Sequence, residues 1–334
     1  MRIFVVSGDR GEPGGWPRNI GDELLTDRLA SFLRDNGHAV TIADFGSASA
    51  RRNRLVVKTR GQLWAAVRSA DLVLIGGGTM VQDDQPARLF AGLPRLCFTV
   101  VLLSALARTP VGFVSVGVQP LSRPIPRIAL GWSMRRAQFV LARDPESLLV
   151  ATSVRGVKAS LACDAALVGS PYPRAEGLGQ GAVVALNRAE APLLSDQLLK
   201  ALVSDHGSVQ LISMDQSAES DFHALRGSLP DGVQLVQPNL VHEDVVEYMS
   251  RARVVIASRM HALYIAALLG KPSIAVESSP KVAAFAAEFD IPVVHIDKLA
   301  DPATEPRPVP AAELERVAAR GTAALDSALR AVQR

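Results

Sequence analysis

The sequence predicts an α/β protein built from two Rossmann-like parallel-sheet domains. Three observations lead there. Short apolar runs alternate with helical patterns from end to end, the βαβα rhythm of a parallel, doubly wound sheet with right-handed crossovers. That rhythm pauses once, at the Gly- and Pro-rich stretch 169–181, and then restarts. The length, 334 residues, exceeds one ordinary core and suits two domains of ~150 residues.

In the first half the expected strands are Ile3–Val6, Ala39–Ala43, Leu72–Ile75, Val111–Ser115 and Phe139–Leu141. Amphipathic stretches lie between them at Asp22–Asn36, Pro86–Ala107 and Asp144–Val154. In the second half the strands are Val183–Leu186, Val209–Ile212, Val233–Val236, Val254–Ala257, Ser273–Val276 and Val293–Ile296. One Ala- and Arg-rich amphipathic helix closes the chain at Val309–Val332. The expected division is a first domain at 1–170, a linker at 171–181, a second domain at 182–308 and a terminal helix at 309–334. Two such halves and a terminal helix give an architecture like that of the B-type glycosyltransferases.

Composition narrows the function classes. Hydrophobic residues make up 48% and charged residues 21%, which describes a globular chain rather than a disordered one. The net charge is only +3 and no block of basic residues occurs; the loose cluster Arg51, Arg52, Arg54, Lys58 and Arg60 reads as a solvated loop rather than a nucleic-acid contact. Two distant cysteines, Cys97 and Cys163, argue against a disulfide framework or a zinc site and for a reducing, cytoplasmic compartment. With a strand expected directly after Met1, no signal peptide is expected, and the longest apolar stretch, Leu96–Val118, is broken by Arg108 and Pro110. HExxH, GxSxG and the P-loop lysine are all missing, so neither a metalloenzyme nor a serine hydrolase is expected; no metal and no bound cofactor are expected either.

Ligands of open parallel sheets sit where strand carboxyl ends meet loops and helix N-termini, and four segments fall at such places. Asn19-Ile20-Gly21-Asp22-Glu23 opens a helix, with Gly21 allowing close approach and Asp22 able to cap; ordinary capping explains it equally well. Gly76-Gly77-Gly78 follows a strand and either bares amides for a sugar or anion or makes a tight turn. Arg143 precedes Asp144-Pro145, a helix start, and its guanidinium is either a bidentate anion clamp or a salt bridge.

Ser258-Arg259-Met260-His261 is the strongest segment. Ser258 is read as an N-cap, and Arg259 and His261 flank the amides of a first helical turn. A titratable ring beside an arginine there suits anion binding and proton transfer. Lys281, opening the next helix, supplies a further charge or is simply solvated.

At these residues the chain resembles the polysaccharide pyruvyl transferase family. The matching pieces are, in order, Asn19-Ile20-Gly21-Asp22-Glu23, Gly76-Gly77-Gly78, Val116-Gly117, Leu141-Ala142-Arg143-Asp144 with Ser147, and Asp164-Ala165-Ala166. After them come Ser258-Arg259-Met260-His261-Ala262, Gly270-Lys271-Pro272-Ser273-Ile274 and Pro280-Lys281-Val282. The resemblance implies transfer of pyruvate from phosphoenolpyruvate to two hydroxyls of a sugar, forming a cyclic ketal on an exopolysaccharide, a cell-wall glycan or a lipid-linked precursor. It implies that Arg143, Arg259 and His261 surround phosphoenolpyruvate, a co-substrate, with Ser258 and Lys281 on the donor side. Asn19, Gly21, Asp22 and the glycines 76–78 would face the acceptor, whose lipid-linked form leaves room for peripheral membrane contact. One departure is Glu277-Ser278-Ser279, where many members carry a tyrosine. Two alternatives stay open: a nucleotide-sugar glycosyltransferase of the same architecture, and a non-catalytic binding protein of a glycan pathway.

Overall fold

The computed structural model describes residues 1–12, 15–46, 53–85, 87–169, 172, 179–217, 221–222, 229–301 and 303–334. Most of the expected linker, 171–181, therefore lies outside the described residues, as do Arg51 and Arg52.

Two compact units are present. The first comprises Met1–Gly15, Leu24–Ser170 and Val317–Arg334; the second comprises Trp16–Glu23 and Pro171–Arg316. Their makeup follows from hydrogen bonding rather than chain order. The Ile20 amide donates to the Met214 carbonyl (2.9 Å) and the Gln216 amide to the Arg18 carbonyl (2.8 Å), which ties the stretch around residue 20 to the second unit. Arg320, in the terminal helix, donates to the Ala162 carbonyl of the first unit (3.0 Å).

The first unit holds a seven-stranded parallel sheet. Its strands are β1 (Arg2–Val6), β2 (Ala39–Asp44), β3 (Arg54–Val56), β4 (Leu72–Val81), β5 (Val111–Val118), β6 (Val140–Ala142) and β7 (Ala159–Leu161), in the order β3-β2-β1-β4-β5-β6-β7. The connecting helices are α1 (Ile20–Asp35), α2 (Arg60–Ser69), α3 (Gly92–Ala107), α4 (Pro124–Arg136) and α5 (Pro145–Ser153). Val73, Ile75, Phe113 and Val116 from the central strands pack with Phe4, Val67, Val101 and Leu130 in one core. β5 is buried at every residue, as a strand covered on both faces must be.

The sheet of the second unit has six parallel strands, β8 (Ala182–Ala185), β9 (Val209–Leu211), β10 (Val233–Leu235), β11 (Val254–Ala257), β12 (Ser273–Val276) and β13 (Val293–Val294), ordered β10-β9-β8-β11-β12-β13. Helices α6 (Asp196–His206), α7 (His242–Arg251), α8 (Met260–Leu269) and α9 (Pro280–Phe289) connect them, and α10 (Ala311–Gln333) follows. From Ala262 to Leu269, α8 is buried on all sides, so it carries no polar stripe. Both sheets reverse their strand order once, between β1 and β4 and between β8 and β11. Such switch points open crevices at the strands' carboxyl ends.

The structure corrects several local expectations. The glycines 76–78 do not follow a strand; β4 runs through them to Val81. A Cβ on Gly76 would lie 2.8 Å from the Val114 carbonyl carbon, so the glycine permits close strand pairing. Gly77 and Gly78 have φ of 74° and 102°, and the register against β5 shifts just beyond Gly78. The helix expected from Pro86 begins at Gly92, where Asp84 accepts from the Leu93 amide (2.8 Å). Helix α4, with Pro124 at its start and arginines along its length, gave no clear apolar stripe, and β3 and β7 are three-residue edge strands. No helix among the described residues is long and apolar enough to cross a membrane.

Candidate functional site

The switch point of the second unit gathers its chemistry from three segments. β8 and β11 are neighbours, and the amides of Ser258 and Arg259 both donate to the Ala185 carbonyl (3.1 and 3.3 Å), holding the two strand ends together. Ser258 is not the N-cap of α8. Its hydroxyl accepts from the Asn187 amide (2.8 Å) and donates to Glu190 (3.2 Å), so it is spent on the loop after β8. Arg259 occupies the cap position with no side-chain cap bond, so the positive end of the α8 dipole lies at this turn.

Arg259 is pinned by Asp221. Its Nε donates to Asp221 Oδ2 (3.1 Å) and its Nη2 to Asp221 Oδ1. The Asp221 side chain is fully buried and also accepts from the amides of Met214 and Asp215 (3.0 Å each). Two of the three guanidinium nitrogens are therefore fixed from behind, while about a quarter of the side chain stays exposed. This orients a charged donor surface without leaving a long side chain to be ordered on binding.

His261, in the first turn of α8, is half-buried and its ring stacks at 6.4 Å on Tyr264. Tyr264 in turn meets Phe285 edge-on at 4.7 Å, so an aromatic cluster sets the ring's plane. Against the imidazole lies Gly21: a Cβ there would fall 2.6 Å from His261 Cγ. Asp22 does not cap α1. Asn19 does, its Oδ1 accepting from the amides of Gly21 (2.8 Å) and Asp22 (3.2 Å). Asn19 also bridges to Asp215, close to the amides that Asp221 holds.

Glu190 is the second acidic group at this switch point. Burial raises its carboxyl above the ordinary range, opposed by the Ser258 hydroxyl and by the positive charge of Arg259. Neither Glu190 nor Asp221 was singled out from sequence. The carboxyl end of β8, first strand of the restarted pattern, is the signal that could have found Glu190; Asp221 lies in a segment with no periodicity.

Lys281 stands in the first turn of α9, half-buried, with Pro280 at the helix start. In the loop just before α9, Ser278 donates to the Ser258 carbonyl (3.2 Å), so the stretch that departs from the family pattern is tied to the site.

Arg143 belongs to the first unit, at the carboxyl end of β6, and it is not an open fork. Its Nε donates to Asp144 (2.9 Å), its Nη1 lies 3.5 Å from Asp164, and the side chain is 3% exposed. Asp144 caps α5 as expected, accepting from Ser147 (2.7 Å). Gly117 leaves room for the guanidinium, since a Cβ there would lie 3.0 Å from Arg143 Cζ.

Among the described residues one group, Glu23, His242 and Glu243, could hold a metal ion. Glu23 accepts from the amide of His242 (2.8 Å), the first residue of α7, so its position is accounted for as a helix-end contact.

The sequence model of the family described as Polysaccharide pyruvyl transferase matches residues 19–280, well over half the chain. The chain belongs to that family. As a polysaccharide pyruvyl transferase family member it is a transferase, and the matched span runs from Asn19 through Arg259 and His261 to Pro280. A search of curated protein sequences finds no match. Solved structures share the two-Rossmann architecture at low identity. The UDP-GlcNAc 2-epimerase of Neisseria meningitidis, bound to UDP-GlcNAc, is 12% identical with a TM-score of 0.55, covering 98% of this chain and 99% of that one. The UDP-GlcNAc 2-epimerase of Methanocaldococcus jannaschii is 10% identical with a TM-score of 0.58 over 98% and 99%. The glycosyltransferase SnogD of Streptomyces nogalater is 17% identical with a TM-score of 0.52 over 100% and 99%. These likenesses establish the fold class, that of the B-type glycosyltransferases.

Proposed function

We propose that the protein transfers the pyruvyl group of phosphoenolpyruvate to two hydroxyls of a glycan or glycan precursor, forming a cyclic ketal. The observation that carries this reading is the first turn of α8, where an oriented guanidinium, helix amides and an imidazole stand within three residues of one another. Phosphoenolpyruvate carries a phosphate and a carboxylate, and its reaction begins with a proton delivered to carbon. Arg259 and the α8 amides bind the anion, His261 donates the proton, and Lys281 adds charge on the donor side. Asn19, Gly21 and Asp22 act through His261, by fixing the backbone against which its ring rests.

His261 protonates the enol methylene, making it a methyl, and one sugar hydroxyl adds to C2. The C2–O bond to phosphate breaks and the second hydroxyl closes the ketal. Of the two hydroxyl protons released, one restores His261 and the other leaves with phosphate. Glu190, whose raised carboxyl lies behind Ser258, is a second group able to hold a proton there.

The decisive test is turnover of phosphoenolpyruvate with saccharide acceptors, following phosphate release and the ketal methyl signal. In a thermal-shift panel, phosphoenolpyruvate at about 100 times its dissociation constant adds ~2.7 kcal/mol of stability. Stabilisation by UDP, GDP or CMP instead, with nucleotide-sugar turnover and none of phosphoenolpyruvate, would select the glycosyltransferase reading.

A further inference from the structure

The first unit contains a cavity of about 420 Å³ at the carboxyl ends of β1 to β4, beside its own switch point. Five cations line it: Arg10 after β1, Lys58 and Arg60 between β3 and α2, Arg88 after β4, and Arg95 in α3. Among the described residues no carboxylate lines it. None of the five side chains makes an ion pair with a described residue, whereas Arg54, Arg143 and Arg259 are each forked onto carboxylates.

Lys58, Arg60, Arg88 and Arg95 are exposed, and two features set this charge apart from a plain solvated face. Arg60 and Arg95 sit in the first turns of α2 and α3, where the helix dipole disfavours cations, and neither first turn contains an acidic residue. Five like charges around one volume also repel one another, a cost that an anion in the cavity would remove. Phe45, Val57, Leu63 and Leu96 form an apolar part of the wall, beside the polar Thr59, Gln85 and Thr99.

We propose that this cavity is a second anion site, built for the diphosphate of a diphosphate-linked substrate. A single phosphate would engage two or three of the cations; a diphosphate engages more, with the apolar wall taking the group attached to it. Calling that substrate the acceptor rests on the pyruvyl-transfer reading; the binding site does not.

Calorimetric titration with inorganic pyrophosphate and with phosphate, in low salt and without phosphoenolpyruvate, tests the site. The expected result is pyrophosphate binding that weakens steeply with salt and exceeds phosphate binding by ~10-fold or more. The doubly substituted Arg60→Ala, Arg95→Ala protein, altered at exposed positions, should lose ~10-fold per cation removed. Lys58→Ala with Arg88→Ala provides an independent pair, and Arg259→Ala should bind pyrophosphate as the parent does. A UDP-sugar or a short prenyl diphosphate binding more tightly than pyrophosphate identifies the attached group as nucleoside or lipid. No saturable pyrophosphate binding, or equal binding by parent and both double variants, overturns the site. Pyrophosphate binding without phosphoenolpyruvate turnover would keep the site and remove the proposed reaction. Under that reaction, the Arg60/Arg95 variant raises KM for a diphosphate-linked acceptor and leaves KM for phosphoenolpyruvate unchanged.

Discussion

Gly21 and His261, 240 positions apart in sequence, are packed so closely that a Cβ at position 21 would lie 2.6 Å from the imidazole Cγ. The absence of a side chain at one end of the chain thus sets where a ring near the other end can sit. Gly21→Ala should improve helix propensity at that position yet force the imidazole off its Tyr264 stack, an overpacking cost of ~1–3 kcal/mol. The expected outcome is a large fall in kcat with a modest loss of thermal stability. An alanine variant with parental kcat would separate the ring's position from the chemistry.

His261→Asn keeps a polar group in the first turn of α8 but removes the proton donor. Donor affinity should stay within a few-fold while kcat falls by ~10²–10⁴. In D₂O the parent should place one solvent deuterium in the ketal methyl. Retained kcat in the variant, or a methyl free of deuterium, would assign protonation elsewhere.

Asp221 holds Arg259 and two backbone amides at once. Arg259→Lys keeps the charge and loses the planar fork, so phosphoenolpyruvate binding should weaken by ~1–3 kcal/mol. Asp221→Asn should weaken donor binding as well, by releasing the guanidinium, and should also destabilise the fold by ~3–5 kcal/mol as a broken buried pair. Denaturant melts alongside donor titrations distinguish the two; unchanged donor affinity in both variants would remove Arg259 from the site.

Arg143 lies between Asp144 and the fully buried Asp164. Arg143→Ala removes the guanidinium beside the buried Asp164 carboxylate, which keeps neutral partners such as the Ala166 amide, and unfolding free energy should drop by ~3–5 kcal/mol. A stability change under ~1 kcal/mol, with activity lost, would show a ligand contact rather than an internal anchor.

Burial raises the Glu190 carboxyl in the folded protein, so the folded state holds its proton to higher pH than the unfolded chain does. Stability attributable to this group is fully present below the ordinary carboxylate range and is lost as pH rises through the raised value. Comparing melts across that window, Glu190→Gln should flatten the dependence; an unchanged slope would assign it to other carboxylates.

The periodicity of apolar runs determined the two parallel sheets, the strand positions near each switch point, and the terminal helix, because buried parallel strands read as short unbroken apolar segments. Motif order determined the family and marked Asn19–Glu23, Arg143 and Ser258–His261. Short-range chemistry was legible where neighbours in sequence satisfy one another, as with Asp144 capping α5. Only the tertiary structure decided the rest. It revealed that Ser258 braces Glu190 and Asn187 instead of capping a helix, that Asn19 and not Asp22 caps α1, and that Arg143 is sealed by Asp164. It also showed that the glycines 76–78 lie within a strand. Asp221 left no trace in sequence, and of the five-cation cavity only Lys58 and Arg60 stood out there, in a cluster that reads as a solvated loop; Arg10, Arg88 and Arg95 come from other segments. Which side chains meet at a sheet's carboxyl edge depends on strand order, and strand order is set by packing over the whole unit.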